Sequence, residues 1–270
     1  MKRWITIEKK IGDTPLMALD AWRKEHPEYR DAPACYAGRL DPMASGKLLL
    51  LLGDECKKRD QYTGLDKQYE IEVLLDMESD TGDVLGLPAY TSVMSSPEHA
   101  ALSTALTAVH GTHTVPYPAF SSKTVNGKPL FQYTLEGALD TITIPEHVET
   151  VYRTKVLSTS FVSKQDLHAR IERLLLLAPT SDEPSKVLGA DFRQEEIRAA
   201  WSNVFAAMSE RTFTVIRIRV TCASGTYMRT LAKRIANELG TTGLALSIHR
   251  SRIGSYLSLP LGKGVWTRRF

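Results

Sequence analysis

Three residues of this sequence have side chains suited to chemistry, and they stand far apart. Asp41 lies in GRLDPMASGKLLLLL, Gly38 to Leu52, between a Gly-Arg-Leu run and a Pro-Met-Ala-Ser-Gly turn, at the threshold of five leucines. Arg229 follows the Gly225-Thr226 turn, and Tyr69 stands near the head of an alternating stretch. Taken alone, Asp41 has an ordinary explanation, since aspartate before proline sets turns and caps amides. Taken with Arg229 it acquires another, because a carboxylate withdrawn from water needs a cationic partner and arginine is the usual one. Tyr69 would carry its ring on the apolar side of its strand. Periodicity alone does not bring these three together.

The elements that must position them can be read from local signals. Thr14-Pro15 predicts an N-cap with proline at the first helical position, opening a helix to about Lys24. Gln68, Glu70 and Glu72 alternate with Tyr69, Ile71 and Val73, a half-buried strand. Arg217, Arg219 and Thr221 alternate likewise with Ile216, Ile218, Val220 and Cys222. Ala223-Ser224-Gly225 then leads into a helix bearing Met228, Leu231, Ile235 and Leu239, stopped by Gly240. Ser96-Pro97-Glu98 opens another helix, with Leu102, Leu106 and Val109 on one face and Gly111 as its stop. The segment 163–211 reads as two helices around the polar turn APTSDEPS. Asp191 would cap the second helix, and Trp201 would anchor it in a core. Helices and strands interleave without βαβ regularity or a glycine-rich phosphate loop, so the fold class is α+β.

Composition narrows the function classes. The chain has 270 residues, 43% hydrophobic and 24% charged, with no low-complexity tract, enough for one large domain or two small ones. No apolar run approaches the ~18 residues of a membrane span, and MKRWITIEKK lacks the apolar stretch of a secretory signal. Cys35, Cys56 and Cys222 are odd in number and form no CxxC pair, which speaks against a disulfide framework or zinc site and fits a reducing cytoplasm. Net charge is only +3, yet basic residues gather at Lys2–Arg3, Lys9–Lys10, Lys57–Arg59, Arg217–Arg219, Arg229–Arg234, His249–Arg252 and Arg268–Arg269. A polyanion is one partner consistent with this pattern; a solvated basic surface is another.

Five segments in order supply what spacing cannot. GRLDPMASGKLLLLLGDECKK resembles the signature of the TruB family of tRNA pseudouridine synthases, whose aspartate stands in Gly-x-Leu-Asp-Pro-x-Ala-x-Gly. KKIGDT (Lys9 to Thr14) is similar to the family's amino-terminal motif, with Lys10 in place of a proline. KQYEIEVLLDMESDTGDVLG (Lys67 to Gly86) resembles the strand with the active-site tyrosine and the turn after it. YPAFSSKTVNGKPLFQYTLEG (Tyr117 to Gly137) resembles the RNA-gripping segment, and ASGTYMRTLAKRIANELG (Ala223 to Gly240) the Ser-x-Gly-Thr-Tyr-Ile-Arg motif.

The resemblance implies a pseudouridine synthase fold: a central mixed or antiparallel sheet flanked by helices, with the active-site cleft across the sheet. It implies one catalytic domain over 1–270, an RNA-gripping, thumb-like segment at 118–140, a helical insertion at 163–211, and no C-terminal PUA-type domain. The implied reaction isomerises uridine to pseudouridine in the T-loop of tRNA (position 55), by base flipping and without metal or cofactor. Asp41 would be the nucleophile or covalent catalyst. Tyr69 would stack on the flipped base and take part in proton removal, and Arg229 would orient Asp41. Ile248 matches the leucine across the base pocket, and Asp83, in the turn motif, would be a substrate-binding residue. Lys9, Lys57, Lys123, Lys128 and Arg250 would contact RNA. Tyr36 replaces a histidine associated with the flipped-out loop and would dock RNA. The Leu48–Leu52 run would be a buried strand flooring the site, and 163–211 an appended hairpin. The partner is the tRNA T-arm with no membrane, the chain a cytoplasmic monomer. Two other readings stay open: an RNA-binding module without catalysis, and a synthase for another RNA such as ribosomal RNA.

Overall fold

The computed structural model describes residues 2–92, 94–178, 193–259 and 263–270. The chain opens with β1 (Trp4–Lys9) and α1 (Pro15–Glu25). The Thr14 hydroxyl accepts the Met17 amide at 3.2 Å and Pro15 takes the first helical position, as the Thr-Pro pair predicts. Next come β2 (Ala34–Ala37), β3 (Ala44–Leu52), the short α2 (Arg59–Thr63), β4 (Asp66–Leu75), β5 (Met77–Ser79) and β6 (Pro88–Tyr90). Then follow α3 (His99–Ala108), β7 (Gly111–Pro116), β8 (Thr124–Val125), β9 (Lys128–Pro129) and α4 (Leu130–Leu135). The last part holds β10 (Glu146–Ser163), α5 (Lys164–Leu176), α6 (Gln194–Ala207), β11 (Thr212–Cys222), α7 (Met228–Glu238), β12 (Gly243–Leu259) and β13 (Lys263–Arg269). The turn after Ala178 and Asp191 lie outside the described residues.

Nine strands form one sheet ordered β1-β3-β12-β4-β11-β10-β7, with β2 added on β3 and β13 on β12. Its pairs are antiparallel except β3 with β12, which run parallel where Ala44–Gly46 meets Ile248–Arg250. That splice sets β12 against the start of β3, immediately after Asp41. Alternation in β4 and β11 sends Tyr69, Ile71, Val73, Ile216, Ile218 and Val220 into the main core. Gln68, Glu70, Glu72, Arg217, Arg219 and Thr221 take the other face.

Two expectations are corrected by the packing. The helices of 163–211 are not an appended hairpin: Leu167, Ile171, Leu175, Ile197, Trp201 and Phe205 are buried in the same core as Ile71, Val73 and Leu244. The Trp201 indole donates to the Val84 carbonyl at 3.0 Å, tying α6 to the turn after β5. Leu48–Leu52 is indeed a buried strand, but it does not floor the Asp41 site. Leu48, Leu50 and Leu52 pack with Ala18, Leu19 and Trp22 of α1. Leu49 and Leu51 pack on the other face with Ala37, Tyr62, Leu65, Ile253 and Phe270. Successive residues of a strand point to opposite faces, so five leucines serve two small cores.

Candidate active site

Asp41 sits in the loop joining β2 to β3, and two buried cations hold that loop from beneath. Lys9, at the end of β1, is fully buried, and its ammonium donates to the carbonyls of Ala44 (2.6 Å), Lys10 (2.8 Å) and Pro42 (3.4 Å). Burial lowers its pKa to about 8, with the Asp13 and Asp41 charges acting against the drop. Arg250, also buried, donates to the carbonyls of Lys47 (2.7 Å), Arg39 (3.1 Å) and Gly38 (3.3 Å). The parallel splice explains the glycine that closes the motif. Gly46 has φ +106°, and a Cβ there would lie 2.4 Å from the Arg250 carbonyl oxygen. The contacts expected of Lys9 and Arg250 with RNA are therefore corrected: both side chains are spent on backbone carbonyls inside the protein.

Arg229 reaches the loop from the opposite side. β11 ends at Cys222, Gly225 turns the chain at φ +92°, and α7 starts at Met228, so the next side chain projects from the first turn. Its Nε lies 2.8 Å from Asp41 Oδ2, Nη1 donates to the Thr81 carbonyl at 2.8 Å, and Nη2 to the Phe120 carbonyl at 3.0 Å. The arginine side chain is 6% exposed and that of Asp41 41%, so the cation is buried and the carboxylate looks into open space. Asp41 Oδ1 makes no hydrogen bond among the described residues.

A second carboxylate, Asp83, lies 3.7 Å from Arg229 Nε and accepts the Thr81 hydroxyl (2.8 Å) and the Leu85 amide (2.9 Å). Burial pushes its pKa up to about 6; Arg229 opposes this and Asp41 adds to it. Burial alone would lower the Arg229 pKa, but the two carboxylates outweigh it and the net direction is up. Tyr69 is placed by register between Val220 of β11 and Arg250 of β12. It is buried, and burial raises its hydroxyl above the ordinary phenol value while the Arg250 charge partly offsets the rise.

These groups line a cleft of about 610 Å³. Asp41, Tyr69, Arg229, Tyr36, Ile248, Asp83 and Arg250 are all on its wall, with Leu40, Ala44 and Leu85 as apolar neighbours. Lys9, Lys57, Lys123 and Lys128 are not. Lys57 is exposed and paired with Asp54 at 2.7 Å, well exposed on both sides. The segment 118–140 makes one wall through Phe120, Ser121, Ser122, Phe131 and Leu135. Its tip is an Asn126-Gly127 hairpin turn, both residues at positive φ as such a turn requires. Lys123 lies over the Tyr117 ring at 5.1 Å, and Lys128 pairs with Glu136 over the Tyr133 ring. Tyr36 has one side on the Leu48–Leu50 cluster and the Arg59 guanidinium 5.6 Å over its ring.

Sequence reasoning missed several lining residues. Lys67 is buried, donates to the Thr63 carbonyl and Ser224 hydroxyl, and is lowered to about 8 by burial and the Arg250 charge. Its spacing of two from Tyr69 in a strand placed it on the same face, a signal that was present. Ser121 is buried, and its hydroxyl has no partner among the described residues. Arg193 lies over the Phe120 ring at 4.7 Å and pairs with Asp80 at 2.8 Å. No local pattern pointed to it.

Chemically, the cleft offers one carboxylate oxygen facing space, its twin gripped by a buried guanidinium, and a buried phenol on an apolar wall. The chain has the pseudouridine synthase fold. Its similarity to the solved Cbf5-Nop10-Gar1 complex, at TM-score 0.53 and 16% identity over 93% of this chain and 48% of that one, bears on fold alone. The chain belongs to the TruB family: the sequence profile of the TruB family pseudouridylate synthase (N terminal domain) matches residues 29–173. It is 28% identical over 227 residues to tRNA pseudouridine synthase B of Hydrogenovibrio crunogenus, covering 84% of this chain and 57% of that protein. To the protein of the same name from Aromatoleum aromaticum it is 29% identical over 255 residues, covering 93% and 63%. It thus spans about six tenths of the length of these curated relatives. No helix among the described residues is long and apolar enough to cross a membrane.

Proposed function

We propose that this chain isomerises uridine to pseudouridine in the T-loop of tRNA, at position 55, acting as a cytoplasmic monomer. The observation that carries the reading is the 2.8 Å pair of Arg229 Nε with Asp41 Oδ2 beside buried Tyr69, in a cleft open to solvent. In this reaction the C–N glycosidic bond breaks, the base turns and a C–C bond forms in its place. The carbon that joins loses its proton and the released nitrogen gains one, so atoms and electrons balance without a co-reactant.

Asp41 acts as the covalent catalyst through its free oxygen, while Arg229 fixes the other oxygen and hence the direction of attack. A base reached inside a folded loop must first be extruded, at a cost of a few kcal/mol. Stacking on Tyr69 and contact with Ile248 offset that cost. Because burial favours the protonated phenol, Tyr69 is better suited to stacking than to removing a proton at neutral pH. Asp83 holds Thr81 and Leu85 and shares Arg229. The 118–140 wall grips RNA, with Lys123 and Lys128 near phosphates, and Lys57 is an outlying contact. Tyr36 meets displaced nucleotides at the cleft edge.

The test is incubation of the purified chain with an unmodified tRNA transcript, followed by carbodiimide-dependent primer extension. Pseudouridine should form in the T-loop, and Asp41→Asn should abolish it while tRNA binding stays within roughly tenfold, since an amide keeps the shape but not the nucleophile. Turnover by that variant would remove Asp41 from the mechanism.

A further inference from the structure

The face of the sheet turned away from the cleft carries a second, smaller pocket of about 310 Å³. Tyr69 points to the cleft and its neighbour Gln68 to this pocket, as successive strand residues must. Register builds it row by row. Arg252, Gln68, Thr221 and Arg153 are consecutive partners across β12, β4, β11 and β10, and Lys155 stands directly opposite Arg219 in the next row. At ~4.8 Å between strands, the row from Arg252 to Arg153 spans roughly 14 Å.

The charge in these rows is not balanced internally. Arg153, Lys155 and Arg252 make no side-chain hydrogen bond or ion pair among the described residues, and all three are exposed. Arg219 is held by Glu70 at 2.7 Å, an acid that Arg217 also claims. Asp66, at the start of the same β4 strand, already accepts the Tyr152 hydroxyl (3.0 Å) and the Tyr256 amide (2.7 Å). Like charges directly opposite on neighbouring strands destabilise a sheet, so the Lys155–Arg219 pairing carries a standing cost that an anion would relieve. The floor is suited to one. Gln68 donates to the Thr221 hydroxyl oxygen at 3.2 Å, which leaves the hydroxyl proton available. Tyr256 and Trp266 close one end, and Tyr256 packs so tightly on Gly264 that a Cβ there would lie 2.2 Å from its hydroxyl.

We infer that this pocket, on the sheet face opposite the cleft, is a binding site for an anion bearing two phosphates. The guanidinium forks at the two ends of the row take one phosphate each, with Thr221 between them and Lys155 beside Arg153 in the next row. The phosphates come either from successive linkages of single-stranded RNA or from the diphosphate of a free nucleotide. The site is separate from the isomerisation cleft, so its test needs no turnover.

The test compares the full chain with Arg153→Gln/Arg252→Gln, and with Lys155→Gln as a milder second variant. Pyrophosphate binding is measured by titration calorimetry and binding of a single-stranded uridine decamer by fluorescence anisotropy across a salt series. Loss of pyrophosphate affinity by tenfold or more in the double variant, with the decamer unaffected, assigns the site to a free nucleotide. A decamer salt slope reduced by about 1.4, the value for two phosphates on a single strand, assigns it to RNA. Both effects together support the shared chemistry. Pyrophosphate binding that is absent or unaltered, with an unchanged decamer slope, overturns the inference. Uridine isomerisation by the double variant at the wild-type single-turnover rate would keep this result independent of the cleft.

Discussion

The leucine run of β3 and the apolar stripe of α5 and α6 are both buried, but in different company. Leu48 to Leu52 lie within the sheet and divide between two small clusters at its edge, one with α1 and one with Phe270. The stripe from Leu167 to Phe205 comes from a segment that looks detachable and joins the one large core behind the cleft. Apolar content therefore tells that a stretch is buried, not which core it serves. What decides that is the partner surface. A strand shows a face to each side, whereas an amphipathic helix commits everything to one.

The sharpest way to break this comparison is to remove the helices. Deletion of 166–210, bridged by a Gly-Ser linker, should give an insoluble or unfolded chain, because Ile71, Val73 and Leu244 lose their cover; a soluble, cooperatively melting product would restore the appended-hairpin view. Trp201→Ala is the graded version and should cost ~3–5 kcal/mol in urea unfolding, since it also leaves the Val84 carbonyl without its donor. Leu49→Ala, in a smaller cluster, should cost about 2–3 kcal/mol, the lower part of the range for such truncations. If Leu49→Ala proved the more damaging, the β3 clusters would be the true stabilising centre.

Tyr36 tests the border between the β3 cluster and the cleft. Base–aromatic stacking is worth ~1–3 kcal/mol, so Tyr36→Ala should raise the apparent KM for tRNA about ten- to a hundredfold, with single-turnover chemistry at saturating RNA little changed. A large fall in melting temperature with unaltered KM would make it a packing residue of the Leu48–Leu50 cluster.

The smallest effect concerns Asp83 and pH. Its folded pKa, about 6, lies above its ordinary value of 3.8, so the folded chain holds this proton more tightly than the unfolded one. Its contribution to stability is thus most favourable below pH ~4, declines as pH rises to about 6, and is flat above. Asp83→Asn should remove that decline and leave the chain slightly more stable at pH 7, as read from denaturant melts between pH 4 and 7. An unchanged pH profile would mean that Asp83 titrates normally.

Much of this was legible in the residues. Thr14-Pro15 capped its helix, and the alternation at Gln68–Val73 and Ile216–Cys222 marked strands, because these signals are local. The Asp41, Tyr69 and Arg229 grouping followed from motif order, since each motif travels with its position in a fold. What stayed hidden was three-dimensional. A lysine looks the same in sequence whether it meets phosphate or, like Lys9, three carbonyls under a loop. The joint between β3 and β12 links residues some 200 positions apart and leaves only one trace, the glycine at 46. Lys67 is a different case: its strand phase did announce it.

Arg229 turns the assembly of the fold into a condition on the chemistry. Its three nitrogens end on three stretches of chain, the Asp41 loop, the turn at Thr81 and the wall at Phe120, which are remote in sequence. A guanidinium is planar and stiff, so it cannot keep two of these bonds while one acceptor wanders. The aim of the carboxylate is therefore right only when all three stretches are seated at once. The arrangement works as a logical conjunction: a wall that has swung away is reported at Asp41 directly, through one side chain, with no relay between.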